Sequence, residues 1–166
     1  YVRTDTFFKS NPLVLAKKPD TQFVCTSMAG QAEAQEWVER LGISKNVRLL
    51  PLLSQMDLWR EFARSTISVS PSTHDGTPNT LLEAMALGCL PVCGDLDSIR
   101  EWITPGENGL LVNPTDEYEL ANAILRALGD EALRENAAQK NMVIIQQQAD
   151  LDATRAKVSL FYERYC

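Results

Sequence analysis

The sequence predicts an α/β domain built on a parallel sheet, and three observations carry that expectation. Short apolar runs of strand length alternate with helical patterns through five strands between Gln22 and Val112. These runs are nearly continuous in apolar residues, as strands covered on both faces are. After Pro114 the pattern turns helical only. At 166 residues, 45% apolar and 23% charged, the chain has the size and balance of a single domain around one core.

The elements follow in order. Thr4 to Lys18 reads as a helix through Phe8, Leu13 and Val14, with Pro12 inside it. An interior proline costs about 3 kcal/mol, which predicts a kink or a late start. Pro19-Asp20 opens a turn, and Gln22 to Thr26 is the first visible strand. Ala34, Trp37, Val38 and Leu41 then recur at helical spacing, and Gly42 closes that helix. Val47 to Leu50 is a strand, followed by a helix from Ser54 to Arg64 that begins with a capping-box variant, Ser54-x-x-Asp57. Ile67 to Ser70 is the next strand, and Pro71 to Thr77 is a loop into a further helix. Leu90 to Cys93, a helix around Ser98 to Ile103, and Gly109 to Val112 complete the alternation. Thr115 or Asp116 caps a helix carrying Leu120, Ala121, Ile124, Leu125 and Leu128, which Gly129-Asp130 breaks. A second tail helix starts near Glu131, and a third carries Val158, Phe161, Tyr162 and Tyr165. Strand-helix alternation of this kind predicts a three-layer, Rossmann-like domain spanning 1–166, with a helical tail over 116–166.

Composition narrows the function classes. A net charge of -6 argues against nucleic acid, whose backbone calls for a basic face, and no apolar run approaches the roughly 20 residues of a membrane span. Cys25 and Cys93, inside apolar runs, suit buried positions, and reduced cysteines suit a cytoplasmic protein. Cys89 and Cys93 lack the further ligands of a zinc site, since the chain has one histidine. Asp95-Leu96-Asp97 matches a three-residue metal signature, but turn and helix-capping roles explain it as well. No G-x-G-x-x-G follows a strand, which argues against a dinucleotide fold.

The chemistry concentrates between His74 and Gly88. Pro78 suits the first helical position, Thr77 can cap it and Gly88 can end it. Leu81, Leu82, Met85 and Ala86 face the core, leaving Asn79, Thr80 and Glu83 on another face. Helical side chains lean toward the N-terminus, so Glu83 points back to the first turn and its N–H groups. With Asp75 just upstream, this is an anion-binding helix end between two carboxylates, suited to a ligand with both phosphate and hydroxyl groups. Paired carboxylates also occur in glycosidases, but nothing else in the chain suggests an extended sugar groove.

From Asp75 to Val92 the chain reads D-G-T-P-N-T-L-L-E-A-M-A-L-G-C-L-P-V. This resembles the donor-site motif of the family 4 (group 1) retaining glycosyltransferases, close to E-G-x-P-x-x-L-L-E-A-M-A-x-G-x-P-V. Pro19 to Thr26, Val47 to Ser72, Pro91 to Ile103 and the Gly106 to Val112 turn are similar to other pieces of that family's C-terminal domain. The resemblance implies the C-terminal half of a GT-B enzyme, which binds a nucleotide diphosphate sugar, needs no metal or other cofactor, and works with an N-terminal acceptor-binding domain. It implies that Glu83 accepts hydrogen bonds from the ribose hydroxyls. Asp75 takes the place of an acid that contacts the donor sugar, here an Asp shorter by about 1.5 Å than the usual Glu. Gly76, Thr77, Pro78, Asn79, Thr80 and Leu81 would supply close approach and backbone N–H groups to the phosphate and sugar.

The resemblance also places the domain's first strand, and the Arg that follows it, ahead of Tyr1. Arg3 lies one position from where a phosphate-neutralising Lys would fall and could replace it in binding the nucleotide sugar. Ser27-Met28-Ala29-Gly30 stands where a G-x-G turn is usual. These departures keep open a second class, a non-catalytic module of the same fold.

Overall fold

A computed structural model describes residues 2–76 and 78–149. Its elements are α1 (Thr4–Leu15), β1 (Phe23–Cys25), α2 (Ala32–Arg40), β2 (Val47–Leu49), α3 (Gln55–Arg64), β3 (Ile67–Ser70), α4 (Asn79–Ala86), β4 (Leu90–Gly94), α5 (Asp97–Arg100), β5 (Leu110–Val112), α6 (Glu117–Gly129) and α7 (Glu131–Gln148). Every strand pairing is parallel, as the apolar runs predict. The strands fall into two sections, β1-β2 and β3-β4-β5. The third tail helix, with Val158, Phe161, Tyr162 and Tyr165, lies outside the described residues.

The pleat divides the core between two faces. Leu90 and Val92 of β4 and Leu110 and Val112 of β5 join one apolar cluster with α1 and α6, whereas Cys93 and Leu111 join the other with Leu81 and Met85 of α4. Alternate residues of a strand point to opposite faces, so a five-residue strand buried throughout must be apolar throughout. The result is three layers: α1 and α6 against one face, α4 and α7 against the other.

The caps follow the sequence closely. Ser54 accepts from the N–H of Asp57 at 3.2 Å, Asp116 accepts from those of Tyr118 and Glu119 at 2.9 Å each, and Asp130 starts α7 through the N–H of Leu133. Pro12 does not delay α1, which starts at Thr4 and continues to Leu15. The helix expected around Ser98 to Ile103 is instead the single turn Asp97–Arg100. Leu96 is its cap, and Asp95 is held in a fork by the guanidinium of Arg100. The tail docks through a buried amide pair: Asn108 Nδ2 donates to Asn141 Oδ1 at 2.8 Å, and Asn141 Nδ2 donates to the Asn108 carbonyl at 3.0 Å.

Ser27 adopts φ 62, a left-handed conformation that costs an ordinary residue about 1–2 kcal/mol. The turn is imposed by its neighbours, since the Leu50 carbonyl accepts from the N–H groups of both Met28 and Ala29 at 2.9 Å. Ser27→Gly is therefore expected to stabilise the protein by about 1 kcal/mol, read as a higher denaturant midpoint at unchanged slope.

The thiols of Cys25 and Cys93 are pushed up to about 12 and that of Cys89 to about 11, in each case chiefly by burial. Thiolate is the reactive form. In a Cys166→Ser background, these three should react with an aromatic disulfide reagent at pH 8 about a hundredfold more slowly in the native than in the unfolded protein. Equal rates would contradict the burial.

Candidate functional site

The loop after β3 and the start of α4 meet at the carboxyl edge of the sheet, the usual ligand edge of open α/β folds. Two contacts fix the loop. Ser72 is buried and bridges to Val2, and Ser98 Oγ donates to the Asp75 carbonyl at 2.8 Å. The charge of Asp75 reinforces the upward shift of the buried Cys93 thiol, so its carboxylate lies within electrostatic reach of the end of β4.

One expectation about the helix start needs correcting. Pro78 is the cap and not the first helical residue: its φ of -76 suits the ring, but its ψ of 118 is extended. Thr77, expected to cap the helix and contact the phosphate, lies outside the described residues. The Pro78 carbonyl already accepts from the N–H of Leu81 at 2.9 Å and of Leu82 at 3.3 Å. Leu81 is thus a core residue whose amide donates to the Pro78 carbonyl. The amides of Gly76, Asn79 and Thr80 have no backbone acceptor among the described residues. Pro78, the cap, makes no side-chain capping bond to α4, and a helix N-terminus carries a partial positive charge that favours an anion.

Glu83 leans toward that end of α4, as helical geometry requires, and is half-buried. Its Oε1 accepts from Gln55 Nε2 at 3.0 Å. Gln55 was not singled out from sequence. The signal was its position directly after the Ser54 cap, which brings α3 to the same sheet edge as α4. The contact aims one carboxylate oxygen at α3.

Arg3 reaches the site by its backbone: its N–H donates to the Pro71 carbonyl at 2.9 Å. Its guanidinium turns to Asp5, with Nε–Oδ1 at 2.9 Å and Nη2–Oδ2 at 3.0 Å, and that hydrogen bond holds the Asp5 carboxyl well below the usual range. Lys9 also approaches Asp5, at 3.5 Å. No group of three or more metal-ligating side chains occurs among the described residues. Nor, among them, is any helix long and apolar enough to cross a membrane.

The family model for glycosyl transferases group 1 matches residues 3–142. This chain belongs to that family. Among curated relatives, the group 1 chain is 41% identical over 106 residues to an exopolysaccharide phosphotransferase of Streptomyces coelicolor, covering 62% of this chain and 11% of that protein. It is 31% identical over 101 residues to O-antigen chain mannosyltransferase B of Escherichia coli, covering 61% and 26%. The chain therefore spans well under half the length of either relative. Its fold matches that of Anabaena HepE bound to UDP-glucose, with a TM-score of 0.85 at 20% identity, covering 99% of this chain and 46% of that one. It also matches the C-terminal domain of LpcC from Francisella tularensis, a group 1 glycosyl transferase, with a TM-score of 0.76 at 23% identity, covering 89% and 80%.

Proposed function

We propose that this chain is the donor-binding half of a retaining glycosyltransferase, transferring a sugar from a nucleotide diphosphate sugar to an acceptor held by an N-terminal domain. The observation that carries the reading is the N-terminus of α4 at the sheet's carboxyl edge, with Glu83 on that helix and Asp75 in the loop ahead of it. The amides of Asn79 and Thr80 and the helix dipole face the diphosphate, and Gly76 permits its close approach. Glu83 accepts from the ribose hydroxyls, and Asp75 contacts the sugar and the positive charge that develops at its anomeric carbon. In this reading no metal is needed, because backbone dipoles stabilise the leaving diphosphate. The HepE structure with UDP-glucose supports the ligand class.

The test is calorimetry of the chain with UDP, GDP, ADP and CDP. At least one diphosphate should bind, more tightly than its nucleoside, without sugar turnover by this half alone. Absence of binding across the panel sinks the reading. Arg3 is the specific observation favouring the second reading, a non-catalytic module, because Asp5 already occupies its guanidinium. If Arg3 serves the diphosphate, Asp5→Asn should free it and raise affinity by up to about fivefold, the range of an exposed ion pair. An unchanged affinity would leave the helix amides as the phosphate contact and Arg3 as a structural residue.

A further inference from the structure

The segment that follows β4 carries the Asp95-Leu96-Asp97 motif, and its contacts make it a fixed seat. The Asp95 N–H donates to the Val112 carbonyl at 2.9 Å, which extends the β4-β5 ladder by one residue. Its carboxylate is closed by the Arg100 guanidinium across the turn of α5, with Nε–Oδ1 at 2.5 Å and Nη2–Oδ2 at 2.6 Å. The Leu96 carbonyl accepts from the N–H groups of Ile99 and Arg100 at 3.0 Å and 2.9 Å, and the Ile99 side chain is buried with Leu81 and Met85 of α4. Asp97 is the first residue of α5, where a negative charge suits the helix dipole. Gly94 to Arg100 is therefore tied to β5, to itself and to α4.

The loop ahead of α4 rests on this seat at both ends. At one end Gly94 abuts the Ser72 carbonyl so closely that a Cβ would collide with it. At the other, Ser98 Oγ donates to the Asp75 carbonyl at 2.8 Å, across 23 positions of sequence. Ser98 adjoins the buried Ile99, so the residue bearing that hydroxyl cannot shift without disturbing a close-packed cluster. Gly76, next after Asp75, has open space around it and does not wedge Asp75 in place. An aspartate carboxylate stands one methylene from Cα, so it goes where its backbone goes, whereas the longer Glu usual at this position can adjust through a further torsion.

We propose that Ser98 is a positioning residue for the donor sugar: from its seat on α5 it fixes the Asp75 peptide and so sets where the Asp75 carboxylate meets the sugar's hydroxyl groups. The proposal rests on the reading of Asp75 as the sugar contact. A group held by such an outer hydrogen bond is ordered before the ligand arrives, which lowers the cost of ordering it on binding. The start of α4, which meets the diphosphate, is not touched by Ser98, so the effect falls on the sugar alone.

The test is calorimetry of the full chain with UDP, GDP and ADP against UDP-glucose, GDP-mannose and ADP-glucose. It compares the parent with Ser98→Ala, Ser98→Thr, Asp75→Ala and the Ser98→Ala/Asp75→Ala double variant. Ser98→Ala should lower the ratio of nucleotide-sugar affinity to diphosphate affinity by about fivefold, the worth of one hydrogen bond, at unchanged diphosphate affinity. Ser98→Thr keeps the hydroxyl and should restore the ratio. In the Asp75→Ala background, loss of the Ser98 hydroxyl should change the ratio no further. An equal fall in both affinities overturns the proposal, as does an effect that adds fully to that of Asp75→Ala. A Ser98→Ala protein without a cooperative unfolding transition also overturns it, since the hydroxyl would then hold the fold and not the sugar contact. The parent's ratio in Ser98→Ala, with a lowered ratio in Asp75→Ala, removes this proposal and leaves the donor reading standing. A ratio that Asp75→Ala leaves unchanged removes the sugar role of Asp75 and the proposal with it, and absence of diphosphate binding removes the donor reading as a whole.

Discussion

Replacing Glu83 with Ala is expected to lower the affinity for a nucleoside diphosphate by about tenfold to a hundredfold, the range of hydrogen bonds to a charged group. Glu83 is half-buried, and its carboxylate is steadied by the 3.0 Å contact from Gln55. The folded state should barely register the change, because Glu83 lies outside both apolar clusters. Calorimetry and a denaturant titration together check both halves of this expectation. Glu83→Gln keeps the shape, loses the charge and should fall between Ala and the parent. Gln55→Ala should cost less than Glu83→Ala, because it loosens the carboxylate without removing it. Parent-like affinity in Glu83→Ala would remove the donor role from this residue, whatever the fold.

The parts of this architecture legible in sequence are those set by short-range rules. Buried parallel strands must be apolar on both faces, so Leu90 to Cys93 announced itself without a partner in view. Capping residues act within three positions, so Ser54 and Asp116 could be read directly. What escaped depends on long-range packing. Gln55 meets Glu83 across 28 positions only because α3 packs on α4. The start of α4 moved by one residue because proline fixes φ and leaves ψ to the surroundings. Ser27 gave no hint of a left-handed conformation, since residue type argues against it and the Leu50 carbonyl imposes it. Arg3 was read for its position near the site; the fork with Asp5, two residues away, decides where its charge goes.

Gly94→Ala should be among the most damaging single-methyl changes available, with a loss of about 3 kcal/mol from overpacking. A Cβ on Gly94 would drive into the backbone carbonyl oxygen of Ser72, with the Ser72 N and C atoms each 3.1 Å away. The obstacle is main chain on main chain, so no rotamer change relieves it. Ser72 cannot easily retreat: it is buried, bridged to Val2, and paired through its hydroxyl with Ser70 at 3.2 Å. Relief must come from the pairing of Gly94 with Val112, or from the loop that carries Asp75. The first route lowers the denaturant midpoint, and the second also weakens diphosphate binding at temperatures where the protein stays folded. Gly76→Ala is the control, because a Cβ there meets nothing within 4 Å and the residue has no positive φ. It should leave the midpoint within about 0.5 kcal/mol of the parent and weaken binding through its closeness to the ligand. A Gly94→Ala protein with the parent's midpoint would show that the loop after β3 yields freely, and the preorganised placement of Asp75 would lose its physical basis.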